Sequence, residues 1–441
     1  MAMVPADPLS QVEEYVRLYR ALLQPLDLET PYSHYMTMNY VASPEDHGRI
    51  DAIVTERQSL IAGLTREIER VQTLRELCDV QTPLDAIQAE LIERKSRVES
   101  SQTFHRALTS TIRRLPANIF GEIFRQWLPK DTCIVPGSMC SPLLLTQVCQ
   151  RWRSIAMATP HLWSSLMIPL RKAVADEYRI QCDTWLARAK GIPLMLAIHG
   201  VDSSSRHLLN WLQRLISRCC DLRWYGPLLD GLLANGTVEL LEKLDVNVFG
   251  MPHRRPSIDV PSGMSRLGSV CLIFAYEVNS LDGITLPWAQ LTEMDMNGVN
   301  LPWTDVSRLL RICSRLQNAK FSLLDGGDLD DQQATVPGSV VNHSLKFLGI
   351  ELYGQTANYL LDALVLPSLA ELHLGFCYVG EWPHEQFASF IARSRCSLKK
   401  LTVAAHGSVW DHWSEYRSLL PTCTLKMIED KASVSCWDHT V

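Results

Sequence analysis

Residues 345–350 read LKFLGI, residues 369–374 read LAELHL and residues 398–403 read LKKLTV. Each hexamer places a leucine first and apolar residues fourth and sixth. Alternate side chains of a strand point to the same side, so this spacing predicts a short strand with one apolar face. These segments decide the fold class expected for the C-terminal half of the chain.

The same pattern recurs upstream of these three segments, at a nearly constant interval. The seven blocks are Leu241-Leu244-Val246, Leu267-Val270-Leu272, Leu291-Met294-Met296, Leu316-Ala319-Phe321, Leu345-Leu348-Ile350, Leu369-Leu372-Leu374 and Leu398-Leu401-Val403. Subtracting successive first leucines gives spacings of 26, 24, 25, 29, 24 and 29 residues. Helix-like stretches precede several blocks, and leucine-rich repeats run about 20–29 residues. The array therefore resembles leucine-rich repeats.

We predict a leucine-rich-repeat-like α/β solenoid over residues 176–425, followed by a tail over 426–441. A helix and a strand over residues 176–199 would begin the array. The consensus turn residue, Asn or Cys, is found only at Cys377, so the repeats would be irregular. The polar strand positions, such as Glu371 and His373, are expected on the concave side, where a target protein would bind.

Residues 113–168 carry the most informative local pattern. Pro116 suits the start of a helix, and apolar residues then recur on one helical face from Ile119 to Trp127. A polar loop over 130–141 precedes a second helix over 142–156, and Thr159-Pro160 starts a third short element. Such a three-helix unit is small for an independent core. Its surplus of large apolar side chains predicts a partner surface.

This stretch resembles F-box domains in three blocks that occur in the family's order. Leu115-Pro116 with the two pairs Ile119-Phe120 and Ile123-Phe124 is similar to the opening of the domain. The segment VCQRWRSIA at 148–156 is similar to its second helix, and TPHLWSSL at 159–166 to its closing segment in fungal members. The chain departs from the family at Asn118, where many relatives are acidic, and in the long loop over 130–141.

The resemblance implies a substrate-recognition adaptor of an SCF-type (Skp-cullin-F-box) E3 ubiquitin ligase. Its partners would be the Skp-type adaptor, through it the cullin and RING subunits, and a protein substrate on the repeat domain. The positions that the resemblance places in or behind the adaptor contact are Leu115, Pro116, Ile119, Phe120, Ile123, Val148, Trp152 and Ile155. The alternative is an F-box and leucine-rich-repeat scaffold that acts outside a ligase.

The N-terminal part is predicted to be helical. Residues 1–47 are expected to hold a helix over 9–23 and a linker. Residues 48–112 are expected to form a helical hairpin or short coiled coil, because apolar residues follow one stripe from Ile50 to Leu74 and Thr82-Pro83 opens a second helix. Arg57 interrupts the stripe. The pair of helices either packs on its own domain or self-associates through residues 50–99. The complete expectation is thus a multidomain α plus α/β chain.

Composition excludes several classes of protein. The chain has 441 residues, a formal charge of −6 and no basic run, so no nucleic-acid partner is expected. We find no signal peptide pattern and no apolar run of about 18 residues, so no membrane partner is expected and the location would be cytoplasmic or nuclear. Thirteen cysteines without C-x-x-C spacing indicate a reducing compartment and argue against structural zinc.

Motifs of catalysis were not found in the sequence. It contains no G-x-S-x-G, no phosphate-binding glycine loop and no H-E-x-x-H. His384-Glu385 lacks the second histidine of a zinc protease motif. We therefore expect no enzyme, no cofactor, no metal and no catalytic residue, and an enzyme of unrecognised type ranks behind both adaptor hypotheses.

Overall fold

The structure is a computed structural model. It describes residues 14, 16–19, 26–36, 40–77, 82–129, 133–136, 142–200, 207–226, 232–233, 238–248, 258–259, 266–274, 281, 283–323, 338–352, 356–376, 382–404 and 412–428. Most of the helix expected over 9–23, most of the loop at 130–141, Cys377 and nearly all of the expected tail lie outside these ranges.

The chain forms two compact units. The helical unit comprises residues 1–125 and 144–157, and the sheet unit comprises residues 126–143 and 158–441. None of the helices in the described ranges combines the length and the apolar character that crossing a bilayer requires.

Two long helices dominate the helical unit, as the expected helical hairpin requires. Helix α1 spans Pro44–Leu77 and α2 spans Thr82–Leu108, and the two pack against each other. Their apolar stripes meet in one cluster around Val71, Leu84 and Leu91. The charged stripe position Arg57 is only 3% exposed, and its guanidinium lies 3.5 Å from the Glu56 carboxylate.

A second cluster anchors part of the stretch expected to be linker. Tyr32 and Ala42 are buried there with Ile50 of α1 and Leu108 of α2. The Tyr32 hydroxyl also donates a hydrogen bond to the Asp46 carboxylate at 3.0 Å. Burial of one aromatic ring holds this segment against the hairpin.

Three further helices follow, in bounds that differ from those expected for the F-box-like stretch. Helix α3 spans Ala117–Trp127, α4 spans Pro142–Val148 and α5 spans Gln150–Ala158. The single second helix expected over 142–156 is therefore two helices separated at Cys149. The expected third element is a 3-10 turn over Pro160–Trp163 followed by a strand.

The sheet unit is built on eleven parallel strands. They are β1 (Ser165–Pro169), β2 (Leu194–His199), β3 (Cys219–Tyr225), β4 (Lys243–Val248), β6 (Ser269–Phe274), β8 (Glu293–Leu301), β9 (Asn318–Leu323), β11 (Phe347–Leu352), β13 (Glu371–Phe376), β14 (Lys400–Ala404) and β15 (Thr424–Ile428). Strands adjacent in the sheet follow one another along the chain. Two small parallel pairs lie outside it: β5 (Ile258–Asp259) with β7 (Ile284–Thr285), and β10 (Val340–Val341) with β12 (Leu364–Val365).

One face of the large sheet is apolar. Every residue of the seven leucine-pattern blocks is at most 2% exposed. In register, Leu348 of β11 lies between Ala319 of β9 and Leu372 of β13, so the apolar residues form continuous rows across strands. The period of two read from the sequence therefore corresponds to the buried face of these strands.

Helices accompany only part of the sheet. They are α6 (Leu170–Ala173), α7 (Asp176–Ala187), α8 (Leu209–Ile216), α9 (Trp303–Ile312), α10 (Thr356–Ala363), α11 (His384–Ser394) and α12 (Trp413–Leu419). Within the described ranges, no helix lies between β3 and β4, between β4 and β6, or between β9 and β11.

The predicted fold class is wrong for the C-terminal half. The structure there is an α/β fold with one large all-parallel sheet, and a leucine-rich-repeat-like solenoid over 176–425 is not what it shows. The pattern located strands, but a leucine pattern carries no information on how each crossover is built. The sheet also begins earlier, because Ser165–Pro169 pairs with β2 although it was assigned to the F-box-like stretch.

Candidate partner-binding surfaces

Helix α3 separates its apolar residues onto an inner and an outer side. Phe120 and Phe124 are 1% and 2% exposed, whereas Ile119 and Ile123 are 44% and 47% exposed. Residues four apart lie on the same side of a helix, so the two isoleucines form one outer apolar strip. This helix exposes apolar surface that the unit itself does not cover.

The aromatic residue of α5 supports α3 from the inside. The Trp152 ring centroid lies 5.7 Å from that of Phe120 and 5.0 Å from that of Phe124. Ile155, one turn further along α5, is 8% exposed. Of the eight predicted contact positions, Phe120, Trp152 and Ile155 therefore serve the interior of the helical unit.

The remaining predicted positions are more accessible. Val148, at the end of α4, is 59% exposed, and Pro116 is exposed just before α3. Leu115 is half-buried and has an extended backbone, with φ of −64° and ψ of 134°.

Arg151 organises this region and was not singled out from the sequence. Its guanidinium donates hydrogen bonds to the backbone carbonyls of Arg113 and Leu115, and it lies 5.1 Å from the centroid of the Phe120 ring. Arginine suits this role because its fork of donors can serve two acceptors at once. The arginine beside Trp152 in the second block of the resemblance was the signal available for it.

The second candidate surface is the polar face of the large sheet. Between the apolar rows runs a set of residues that are paired in register from β3 to β15, which we name the polar row. Its members are Arg223, Asp245, Cys271, Asp295, Lys320, Gly349, His373, Thr402 and Lys426. The two expected outward residues of β13 lie on this face, with His373 in the row.

Charge is distributed unevenly along the polar row. After Arg223 at its first position, the row carries Asp245 and Asp295 and then Lys320 and Lys426. The Lys320 ammonium lies 2.9 Å from the Asp295 carboxylate where the acidic and basic stretches meet. An acidic stretch beside a basic stretch favours a partner with the reverse arrangement of charges.

An open cleft of about 490 Å³ adjoins Lys320 of the polar row. Lys320, Lys346 and Lys399 line it together with the Phe347 ring and the Glu371 carboxylate. Cationic side chains around an aromatic ring suit an acidic segment that also carries an apolar group.

Burial changes the acid–base behaviour of the polar row. The pKa of His373 is lowered to about 4, mainly by burial and to a smaller extent by the nearby Lys400 ammonium. Burial also raises the pKa of Asp245, against the opposing effect of the Arg223 guanidinium. The neutral imidazole of His373 therefore keeps this position uncharged among lysines near neutral pH.

Cysteines of the described ranges carry free thiols, nine in all. Several are buried, and burial raises the pKa of the Cys219 thiol, among others. Raised values keep these thiols protonated, which is typical of cysteine used as a small apolar residue.

Comparison with known proteins finds no relative of this chain. No family model matches the sequence, and no curated protein matches it.

Proposed function

We propose that the chain is a non-catalytic adaptor of the F-box type, which brings a target protein to an SCF-type E3 ubiquitin ligase. The observation that carries this proposal is the outer strip of α3, where Ile119 and Ile123 are each exposed by more than two fifths of their surface. Neighbouring exposed apolar residues that form one surface often mark a contact with another protein. The partner proposed here is the Skp-type adaptor, because residues 113–168 resemble F-box domains.

The interior supports this role by fixing the helix that carries the strip. Trp152 packs against both phenylalanines of α3, and Arg151 holds the carbonyl of Leu115 immediately before it. A rigid surface binds with a smaller loss of conformational freedom than a mobile one. Ile119, Ile123, Val148 and Pro116 would contact the adaptor in this proposal, while Phe120, Trp152 and Ile155 would hold them in place.

The target would bind the polar face of the sheet. The cleft offers an acidic segment of a target the ammonium groups of Lys346 and Lys399 and one aromatic ring, whereas the Lys320 ammonium is already paired with Asp295. Such an adaptor would work in the cytoplasm or nucleus, where free thiols stay reduced.

The adaptor contact is tested with the double variant Ile119→Ser, Ile123→Ser. Both side chains are largely outside the core, so folding free energy should change by less than about 0.5 kcal/mol for each. Covering them in a complex is worth about 3 kcal/mol together, so affinity for the Skp-type adaptor should fall roughly a hundredfold. Circular dichroism and thermal melting check the fold, and calorimetry with purified adaptor measures the affinity.

A matched control removes the same apolar groups elsewhere. Ile180 and Ile312 are 64% and 45% exposed in the sheet unit, so Ile180→Ser with Ile312→Ser should leave adaptor binding unchanged. Equal adaptor affinity for both double variants, or none for the unaltered chain, would overturn the proposal. Adaptor binding without cullin in co-purification would assign the chain to the scaffold alternative instead.

The target surface is tested separately by charge reversal. Lys346→Glu with Lys399→Glu should abolish retention of ligase targets in proximity labelling while adaptor binding persists. Lys172→Glu with Lys190→Glu makes the same change in charge at exposed residues away from the cleft, and its target profile should match that of the unaltered chain. Identical target profiles for the two variants would exclude the cleft as the binding surface.

A further inference from the structure

Two histidines that are distant in the sequence meet near the C-terminal end of the described chain. His384 is the first residue of α11, and His412 immediately precedes α12, whose first turn contains Glu415. One ligand atom from each of the three side chains lies within 4.8 Å of the others. We name this set the histidine cluster.

The separations within the histidine cluster suit a shared ion better than direct hydrogen bonds. The Glu415 Oε2 atom lies 3.4 Å from His384 Nε2 and 3.7 Å from His412 Nδ1. Hydrogen bonds between nitrogen and oxygen are shorter, at about 2.7–3.2 Å. Ligand atoms about 2.1 Å from a tetrahedral Zn²⁺ are separated from each other by roughly 3.4 Å.

A buried residue orients one of the two imidazoles. Tyr416 is fully buried, and its hydroxyl oxygen lies 2.6 Å from His384 Nδ1 and 2.5 Å from Trp382 Nε1. When Nδ1–H donates to this oxygen, Nε2 presents its lone pair toward Glu415. Metal-binding histidines are commonly held in this way by a hydrogen bond to the second ring nitrogen.

The two rings lie close together and remain accessible. Their centroids are 3.7 Å apart with an angle of 13° between the planes. Because the two ring planes are nearly parallel, their in-plane lone pairs do not meet at one point, and His412 must turn out of the stack to share an ion with His384. The side chains of His384, His412 and Glu415 are 21%, 37% and 52% exposed, so an ion can enter from solvent and His412 can turn toward it.

We propose that His384 Nε2, His412 Nδ1 and the Glu415 carboxylate bind one divalent transition-metal ion of the zinc class. Two imidazoles and one carboxylate are a ligand set that zinc favours, and they leave one position for water or a group from a partner. The ion would connect the starts of α11 and α12. Binding to the folded state alone would raise the unfolding temperature of the chain as metal concentration increases.

The test uses the full chain, freed of metal with a chelator and titrated with ZnCl₂ and CoCl₂. One equivalent should bind, and the Co²⁺ form should show the visible absorption of a four-coordinate ion without a thiolate charge-transfer band. His412→Ala and Glu415→Gln should each weaken binding at least tenfold, and Tyr416→Phe about ten- to a hundredfold. His343→Ala removes an exposed histidine elsewhere and should have no effect.

The outcomes separate this site from metal capture by cysteine. Variants are compared after circular dichroism of the metal-free proteins has shown equal folding. Undiminished binding by the double variant His384→Ala, His412→Ala, or a strong thiolate band with the unaltered chain, would overturn the assignment. Loss of binding in the double variant with adaptor affinity intact would support the site independently of the proposed ligase role.

Discussion

Neighbouring residues of β13 provide a strict test of which face of the sheet is open to a partner. Leu372 is 1% exposed and lies in register between Leu348 and Leu401 on the apolar face. Glu371 is on the opposite face, where its carboxylate lies 3.8 Å from the Lys400 ammonium and both side chains are nearly half exposed. The perturbation is the same truncation to alanine at each position.

The two truncations should differ several-fold in cost. Leu372→Ala removes the buried isopropyl group of a side chain that lies between two other leucines, which costs about 2–5 kcal/mol of unfolding free energy. Glu371→Ala removes one exposed ion pair, which is worth about 0–1 kcal/mol. We expect Leu372→Ala to lower the free energy of unfolding by about 1–5 kcal/mol more than Glu371→Ala.

Urea unfolding followed by tryptophan fluorescence measures both values. If the free energy of unfolding has the same slope against urea concentration in both variants, the difference between their midpoints reflects stability and not a change in the surface exposed on unfolding. Target binding by Glu371→Ala should be maintained or strengthened, because loss of this carboxylate leaves the cleft more positive toward an acidic segment. Comparable destabilisation by both truncations would refute the assignment of faces and, with it, the cleft as an open surface.

Three further predictions concern pH, backbone and thiols. The pKa of His373 is lowered to about 4 in the folded chain from its usual 6.5. Between these two pH values the unfolded chain binds more protons than the folded chain, so the free energy of unfolding should fall as pH drops from about 6.5 to 4. In urea unfolding at a series of pH values, His373→Gln should reduce the dependence of the midpoint on pH over this range. Gly226 has a φ of 127°, and a Cβ there would collide with the Gly200 carbonyl. Gly226→Ala should therefore lower the free energy of unfolding by more than about 2 kcal/mol. Gly338→Ala, where a Cβ meets open space, should leave it unchanged when both variants are compared by thermal melting. Thiol titration of the unreduced, unfolded chain should find nearly all 13 cysteines free, and several protected pairs would contradict that expectation.

The strands of the sheet were largely predictable, and their connections were not. Alternation of apolar residues fixes which side chains of a strand are buried, and blocks such as Leu398-Leu401-Val403 are buried as that rule requires. The segment SLMIP at 165–169 is a short apolar run, which cannot be distinguished from a helical segment by periodicity alone. The break at Cys149 likewise leaves no mark in the apolar spacing of α4 and α5.

The candidate sites differ in how far they could be predicted from the sequence, because some require residues distant in the chain to lie close together in the fold. Exposure of Ile119 and Ile123 follows from one helix and its broad apolar face, so the sequence alone could indicate a partner surface. The polar row required the register of nine strands, which single-strand patterns do not contain. The meeting of His384 with His412 depends on two helix starts brought together by the sheet, so their spacing in the sequence resembled no known metal motif.

The consecutive order of the strands has a consequence for folding during synthesis. Each strand of the large sheet pairs with the strand made just before it, so every new pairing closes only a short stretch of chain. The entropic cost of such closure grows slowly with length and stays small for every step. A chain leaving the ribosome can thus add strands one at a time onto β1, and each addition replaces one exposed strand edge at the growing end of the sheet with another. Arrest of synthesis after β9 would leave a shorter sheet with one new edge strand. It would not leave several strands whose pairing partners had not yet been made.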